Sequence, residues 1–356
     1  MRYNREKIAA VIGQKNVDAI LVSDSYNIRH ISQFRGEGYL YLTKNRQVIL
    51  TDSRYTTQAK GEAEEFEVFE INNDCSYEKL LSNLMEEDGV EKVGFEDQHI
   101  GYAEYERWTR QIPGKTWIEM GESLNDLRMI KEQWELDCLE KAESIGDAAF
   151  SHILNVIKPG MTELAIAAEL EYFMKQNGAS GTSFDTIIAS GLNSAMPHAI
   201  PSDKKIEEGD FVTMDFGCKY NGYCSDMTRT IVVGKASEKQ REIYSIVLEA
   251  QLAALDALRP GLTGQEVDKV ARDIIEKAGY GAYFGHGLGH SVGLFIHESP
   301  RLSPKGMTLM QENMIQTVEP GIYLPGFGGV RIEDMVVVTA DGHKNFAHSK
   351  KELIEL

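Results

Sequence analysis

Basic residues are scarce in this chain. The sequence has 37 lysines and arginines against 55 aspartates and glutamates, which leaves a formal net charge of −18. Because a nucleic-acid partner needs a basic face to meet its phosphates, this deficit argues against DNA or RNA binding. The sequence therefore predicts a protein without a nucleic-acid partner.

Long apolar runs and regularly spaced cysteines are also missing. No stretch approaches the roughly 20 apolar residues that a membrane span requires, and residues 1–22 lack the apolar core and cleavage site of a signal peptide. The irregular spacing of the cysteines fits neither a disulfide framework nor a zinc motif. We therefore expect a cytoplasmic protein without a membrane partner, with buried thiols at Cys75, Cys138, Cys218 and Cys224.

Two domains are expected from the length of 356 residues and from a change of pattern along the chain. Up to residue 124, short helical and strand patterns alternate, as in "DAILVS" and "SYEKLLSNLMEED", which predicts a small α/β domain with a mixed sheet. Its segment "TDSRYTTQAK" is predicted to be a polar loop. From residue 125 helical periodicity continues for about thirty residues. We therefore place a first domain at 1–124 and a second at 125–356.

The second domain contains an internal repeat. Residues 157–181 and 258–281, which begin 101 residues apart, share an apolar-basic-Pro-Gly-apolar-Thr start, an amphipathic helix and a stop at glycine. At nearly the same offset "HAIP" matches "HESP". Two copies of a unit of about 100 residues predict a pseudo-symmetric domain of two helix-and-hairpin halves around a shared centre. The repeat pairs His198 with His297, Asp215 with Glu319, and Asp226 with Glu333.

The stretch "MDFGCKYNGYCSDMTRT" at 214–230 is predicted to be a β-hairpin. Asn221-Gly222 favours a two-residue turn, and counting back from it sets Asp215 opposite Thr228. Because side chains alternate between the faces of a strand, Asp215 and Asp226 then lie on one face as diagonal neighbours. Two like charges this close need a cation or a shared proton. The alternative is a pair of aspartates on a solvated hairpin.

A glycine-rich segment, "FGHGLGHSVGLFIHE" at 284–298, interrupts the repeat. Its glycines allow a close approach of the backbone, and His286, His290 and His297 lie among them. A phosphate-binding loop is the competing interpretation. It is rejected because no Lys-Ser/Thr follows and the neighbouring acids would repel phosphate.

The four paired carboxylates and one imidazole form a set of five hard or borderline metal ligands. They carry too much negative charge for one divalent ion of ordinary coordination and suit two ions that share bridging carboxylates. Two-metal sites hold a bridging hydroxide as nucleophile and polarise a scissile carbonyl. Manganese is favoured by the oxygen-rich set, although cobalt, iron and zinc are chemically compatible.

These residues carry a family resemblance. With "NSAMPH", "MDFG", "DMTRT", "VEPGIY" and "RIED", the chain resembles the Xaa-Pro dipeptidases (prolidases) and Xaa-Pro aminopeptidases of the creatinase and methionine aminopeptidase superfamily. The resemblance implies an α+β protein, in which a creatinase-like α/β domain precedes a pita-bread catalytic domain. It also implies a homodimeric, dinuclear metallopeptidase that cleaves the Xaa-Pro bond at the N-terminus of dipeptides or short peptides.

The resemblance also assigns roles to individual residues. For the metals, it makes Asp215 a terminal ligand of one ion, His290 and Glu319 the ligands of the other, and Asp226 and Glu333 the bridges. For catalysis, it makes Glu319 a proton shuttle and His198 and His297 the histidines that steady the oxyanion and the proline-side carbonyl. His286, Tyr323 and Arg331 are then residues that bind substrate or orient ligands.

Several alternatives stay open at this point. A non-catalytic pita-bread binding protein and an aminopeptidase of other specificity compete with the Xaa-Pro peptidase, although the complete ligand set favours the enzyme. Dipeptidase is slightly preferred to aminopeptidase, because Arg301 could grip a terminal carboxylate. Arg301 could equally be a surface residue or a member of an internal salt bridge.

Overall fold

The computed structural model describes residues 5–356, so residues 1–4 of the first predicted domain lie outside the described part. The chain divides after Arg128 into two compact units, slightly beyond the boundary expected from the sequence. Within residues 5–356, no helix is both long enough and apolar enough to cross a membrane.

The first unit is an α/β domain with a six-stranded sheet in the order β4-β3-β2-β1-β5-β6. Strand β1 pairs antiparallel with β2 and parallel with β5, which confirms the predicted mixed sheet. The elements are α1 (Arg5–Lys15), β1 (Ala19–Val22), α2 (Ser25–Ser32), β2 (Tyr39–Thr43), β3 (Gln47–Thr51), α3 (Thr56–Glu62), β4 (Glu67–Glu70), α4 (Tyr77–Glu87), β5 (Lys92–Phe95), α5 (Tyr102–Gln111) and β6 (Thr116–Glu119).

Both faces of this sheet are covered. Ile20 and Val22 of β1 belong to one hydrophobic cluster, whereas Ala19 and Leu21 belong to another. Because successive side chains of a strand point to opposite faces, a strand buried on both sides is a continuous apolar run, as in "DAILVS".

Two local expectations are wrong. The segment predicted as a polar loop contains the start of α3. This helix is difficult to recognise because it contains threonines and a glycine, and the burial of Ala59 helps to stabilise it. The thirty-residue helix is shorter than predicted. It begins only at Gln133, after the capping box formed by Glu132 and Glu135, because Ile130 before it forms a β-bridge with Met314.

The second unit is built from two similar halves. Its helices are α6 (Gln133–Ile153), α7 (Glu163–Gln176), α8 (Glu238–Ala257) and α9 (Gly264–Lys277). Its strands are β7 (Gly181–Thr182), β8 (Ile187–Ser190), β9 (Phe211–Phe216), β10 (Cys218–Tyr220), β11 (Tyr223–Cys224), β12 (Met227–Val232), β13 (Gly289–Ser291), β14 (Glu298–Leu302), β15 (Ile315–Val318), β16 (Gly321–Leu324), β17 (Gly328–Arg331), β18 (Asp334–Val338) and β19 (His343–Asn345).

The sequence repeat corresponds to structure. Helices α7 and α9 follow Thr162 and Thr263, and each of these threonines caps its helix with its hydroxyl. Strands β9 and β12 pair antiparallel in the first half, as β15 and β18 do in the second. Each half also has a large hydrophobic cluster of its own. The α+β pita-bread architecture is therefore confirmed.

The hairpin turn and two of the four thiols agree with the sequence. Asn221 and Gly222 have φ angles of 46° and 76°, and Asp215 lies opposite Thr228. Cys218 and Cys224 are buried. The expectation of burial is wrong for the remaining two cysteines, Cys75 and Cys138, which are only half-buried.

Candidate active site

A cleft of about 730 Å³ opens in the second unit. Ten of the residues selected from the sequence line it, and Tyr323 lies buried behind them. These ten are His198, Asp215, Asp226, His286, His290, His297, Arg301, Glu319, Arg331 and Glu333.

The four acids come from corresponding places in the two halves. Asp215 lies on β9 and Glu319 directly follows β15, whereas Asp226 and Glu333 directly precede β12 and β18. Asp226, His290 and Glu333 each offer one potential ligand atom, and these three atoms lie within 4.8 Å of one another. His290 Nε2 is 3.5 Å from Asp226 Oδ2 and 3.4 Å from Glu319 Oε1. Three of the predicted acids, Asp226, Glu319 and Glu333, thus lie around one imidazole, and Asp215 lines the same cleft.

Burial makes this group of acids electrostatically unfavourable. Loss of solvation, followed by repulsion from Glu333, raises the pKa of Asp226 well above its usual value. Loss of solvation and repulsion from Glu319 do the same to the pKa of Glu333. Burial also raises the pKa of Glu319 to about 8. Since clustered carboxylates ionise together only when cations compensate their charge, the site favours protons or metal ions.

The residues present fit a divalent metal. Among residues 5–356, Asp215 Oδ1 is buried without a hydrogen-bond partner. His290 Nδ1 lies 3.1 Å from the Ser291 carbonyl oxygen, which leaves Nε2 facing the acids. Burial lowers the pKa of His290 to about 3, so the ring is neutral and can ligate. Unsatisfied carboxylate oxygens beside a neutral imidazole suit Mn²⁺ or a similar ion.

Arg331 joins the acids to a second histidine. Its Nη2 donates to Asp215 Oδ2 at 2.6 Å, and its Nη1 donates to Tyr323 Oη at 2.9 Å. Because a guanidinium only donates, the Tyr323 hydroxyl is left to donate to His286 Nε2, 2.9 Å away. His286 Nδ1 then donates to the Gly287 carbonyl oxygen at 2.8 Å. Burial lowers the pKa of His286 to about 4, which agrees with a neutral ring.

The sequence reasoning missed two threonines of the site. Thr228 Oγ1 donates to Glu333 Oε2 at 2.7 Å and accepts from Arg331 Nε at 3.0 Å. Thr317 Oγ1 donates to Glu319 Oε1 at 3.2 Å and accepts the backbone N–H of His290 at 3.0 Å. Strand alternation could have identified both, because Thr228 lies opposite Asp215 and Thr317 lies two residues before Glu319.

Glu143 on α6 was also missed. It is fully buried, and its Oε2 accepts the backbone N–H of Asp226 at 3.3 Å. Burial raises the pKa of Glu143 well above its usual value. Because this contact spans 83 residues of sequence, no local pattern predicts it.

The remaining predicted residues lie on the open side of the cleft. The His297 ring packs edge-on against His290, with 4.6 Å between ring centroids. Partial burial and the nearby Arg301 lower the pKa of His297. Arg301 pairs with His290 in the β13–β14 ladder, and His198 is exposed at the cleft. These three side chains therefore offer nitrogen donors to a substrate.

This pseudo-symmetric fold around a carboxylate-rich cleft defines a hydrolase of the pita-bread class. The model of metallopeptidase family M24 matches residues 137–340, and that of the creatinase/prolidase N-terminal domain matches residues 4–130. The chain belongs to metallopeptidase family M24.

Relatives and solved structures match nearly the whole chain. It is 41% identical to the Xaa-Pro dipeptidase of Pyrococcus furiosus, over 99% of this chain and 100% of that one. The structure of an Xaa-Pro dipeptidase from Bacillus anthracis matches with a TM-score of 0.97 and 44% identity, over 99% of both chains. That of an X-Pro aminopeptidase from Thermotoga maritima matches with a TM-score of 0.91 and 36% identity, over 98% of this chain and 100% of that one.

Proposed function

We propose that this metallopeptidase uses two divalent ions to hydrolyse the Xaa-Pro bond at the N-terminus of dipeptides or short peptides, and that it acts in the cytoplasm. The observation that carries the proposal is the gathering of three carboxylates, those of Asp226, Glu319 and Glu333, around His290 in a cleft that Asp215 also lines. The names of the relatives, which include Xaa-Pro dipeptidases, support the substrate class.

The two halves of the fold suggest how two ions would be shared. We assign Asp215 to one ion and His290 with Glu319 to the other, and we assign Asp226 and Glu333 to both. The oxygen-rich set favours Mn²⁺. When bound, such a pair of ions supplies Lewis-acid activation of the scissile carbonyl and of the attacking water.

The protein's own groups supply proton transfer and orientation. Glu319 lines the cleft, and its carboxylate can accept a proton from the attacking water and pass it to the leaving nitrogen. His297 and His198 line the cleft and can donate N–H groups to the substrate carbonyl oxygens. Arg331 holds Asp215 in place through Nη2.

Selectivity for proline follows from the chemistry of the bond. The nitrogen of an Xaa-Pro bond carries no hydrogen, and the ring fixes φ, so a peptidase that grips this N–H fails on it. The lining of the cleft includes Pro197, Ala199 and Ile200, which are apolar and do not require an N–H from the substrate.

The test is to replace the shared carboxylates. We expect Asp226→Asn and Glu333→Gln each to lower the metal content measured by elemental analysis and to abolish hydrolysis of an Xaa-Pro dipeptide, because each carboxylate would fix both ions. Asp273→Asn, which changes an exposed acid on α9, serves as the control. Two bound metals and wild-type turnover in Asp226→Asn would contradict the dinuclear proposal.

We also propose a homodimer, on the resemblance to dimeric family members. Light scattering should then give about twice the chain mass of 39.9 kDa at micromolar concentration. A mass equal to that of one chain would remove this part of the proposal.

A further inference from the structure

A buried lysine connects two segments of the cleft that the proposed reaction uses. Lys131, which lies just before α6, is 2% exposed. Its Nζ donates to Ser291 Oγ at 3.1 Å and to Glu298 Oε2 at 3.1 Å. Ser291 directly follows His290, and Glu298 directly follows His297. One ammonium group therefore reaches the neighbours of both histidines.

The contact with Ser291 bears on His290. The Ser291 carbonyl oxygen lies 3.1 Å from His290 Nδ1, so the position of this residue sets the orientation of the ring. Partners that hold the second nitrogen of a metal-binding histidine commonly control metal affinity. Lys131 fixes the side chain of the residue that supplies this partner.

The contact with Glu298 bears on His297. Glu298 Oε1 accepts the backbone N–H of Phe295 at 3.2 Å, while Oε2 accepts from Lys131. The carboxylate thus holds the loop in which His297 lies. A Cβ atom at Gly293 would come within 2.4 Å of Glu298 Oε2, so this position must be glycine for the arrangement to form.

The ion pair between Lys131 and Glu298 is costly to bury, which indicates a role for its directed hydrogen bonds. A buried ammonium and a buried carboxylate each lose their hydration, and such a pair persists only when both are well hydrogen-bonded. An apolar pair could fill the same space, but it could not hold Ser291 and Glu298 together through directed bonds. We propose that Lys131 is a positioning residue, which aligns His290 with His297 by hydrogen-bonding to Ser291 and Glu298.

A second lysine with similar contacts offers a control. Lys204 Nζ donates to Ser190 Oγ at 2.9 Å and to Asp210 Oδ2 at 2.7 Å, which repeats the lysine-serine-carboxylate arrangement in the first half. Ser190 ends β8 as Ser291 ends β13, 101 residues later. The residue before Ser190 is an alanine where Ser291 is preceded by His290. Lys204→Met therefore removes similar contacts without a histidine beside them.

The experiment compares Lys131→Met, Ser291→Ala, the double variant Lys131→Met/Glu298→Gln and Lys204→Met. Each is measured for Tm, for Mn²⁺ affinity by calorimetric titration of the metal-free protein, and for kcat and KM on an Xaa-Pro dipeptide. We expect Lys131→Met to lower Tm, because it removes the ammonium group that hydrogen-bonds to the buried carboxylate of Glu298. We also expect it to weaken Mn²⁺ binding and lower kcat, each by about 10- to 100-fold, with a smaller change in KM.

The double variant and the serine variant separate positioning from stability. The double variant should recover much of the lost Tm, because no unpaired charge remains, yet it should keep the defects in Mn²⁺ affinity and kcat. Ser291→Ala, which preserves the ion pair, should keep Tm near wild type and still weaken Mn²⁺ binding. If Lys131→Met does not fold, the Mn²⁺ affinity of Ser291→Ala tests the positioning role on its own. Lys204→Met should leave Mn²⁺ affinity unchanged.

The inference would be overturned if the double variant recovered Mn²⁺ affinity and kcat together with Tm. It would also be overturned by wild-type Mn²⁺ affinity in Ser291→Ala, or by a loss of Mn²⁺ affinity in Lys204→Met equal to that in Lys131→Met. The inference rests on the proposed dinuclear function, but its failure is distinguishable from failure of that proposal. A wild type that binds two Mn²⁺ ions without cleaving Xaa-Pro bonds removes the proposed substrate, whereas the metal affinities of the variants still test Lys131.

Discussion

Arg331 holds one carboxylate oxygen of Asp215, and the other oxygen is buried without a hydrogen-bond partner among residues 5–356. Arg331 Nη2 donates to Asp215 Oδ2 at 2.6 Å, and the oxygen without a partner is Oδ1. The same guanidinium donates to Thr228 and Tyr323. A carboxylate fixed in this way offers one oriented oxygen to a cation without having to reorganise.

Replacement of Arg331 should therefore weaken metal binding. We expect Arg331→Met to lower Mn²⁺ affinity by about 10- to 100-fold, the usual effect of removing a group that orients a ligand. Arg331→Lys should restore only part of the affinity, because one ammonium cannot match the planar fork that donates to four partners. Calorimetric titration provides the measurement, and Arg241→Met, at an exposed ion pair with Glu355, is the control. Unchanged affinity in Arg331→Met would contradict this role.

Removal of metal should destabilise the protein more at higher pH. The folded, metal-free site raises the pKa of Asp226 and Glu333 and that of Glu319 to about 8, by burial and mutual repulsion. Between the usual carboxyl pKa of about 4.5 and pH 8, these three groups hold protons in the folded, metal-free protein that they have lost in the unfolded chain. Their contribution to the free energy of unfolding of the metal-free protein therefore falls as pH rises through this range.

The measurement compares Tm with and without EDTA at several pH values. The metal-loaded protein is the reference, since it shares every other titrating group. We expect the loss of Tm caused by EDTA to grow from pH 5 to pH 8. An EDTA effect that is constant or shrinks over this interval would show that the clustered carboxylates do not control the stability of the metal-free protein.

His297 should affect turnover more than metal binding. It faces the cleft and contacts the ring of His290, but its assigned role is to donate to the substrate. We expect His297→Ala to keep its metal content and to lose about 10²- to 10³-fold in kcat, the typical effect of losing one oriented donor or acid-base group. His152→Ala, at a histidine paired with Glu169 outside the cleft, is the control. Loss of metal in His297→Ala would place this residue among the ligands.

The parts of the site that sequence predicted are those with local or repeated signals. The Asn221-Gly222 turn fixes the register that sets Asp215 opposite Thr228, and the repeat relates Asp226 to Glu333. Helix α3, which was missed in the first unit, has weak helix formers and depends on the burial of Ala59 for its stability. Local propensity therefore underestimates it.

Contacts between distant segments could not be predicted in the same way. Lys131 bonds to residues 160 and 167 positions away, and Glu143 meets the backbone of Asp226 across 83 positions. No periodicity links such residues, because the order in which the sheets and helices pack determines which of them meet. A single sequence thus indicates ligand types and strand registers, but not the buried groups that hold them in place.

Arg301 should distinguish a dipeptidase from an aminopeptidase. It lies on β14 opposite His290, lines the cleft, and is exposed. Its side chain makes no hydrogen bond or ion pair with other residues in the described part of the chain, which favours a role toward substrate over an internal salt bridge. A free arginine at this place can grip the terminal carboxylate of a dipeptide through two charge-assisted hydrogen bonds. In a longer peptide the atoms beyond proline continue as a neutral amide, so the same contact would contribute little.

We expect Arg301→Ala to cost an Xaa-Pro dipeptide about 1.5–3 kcal/mol in kcat/KM, roughly 10- to 150-fold, and to leave an Xaa-Pro-led pentapeptide nearly unchanged. Arg259→Ala, at an exposed arginine that is not among the residues lining the cleft, is the control. Equal losses on both substrates, or a wild type that prefers the pentapeptide, would make Xaa-Pro aminopeptidase the better description, because the cleft would then accept a continuing chain where a dipeptidase binds a carboxylate.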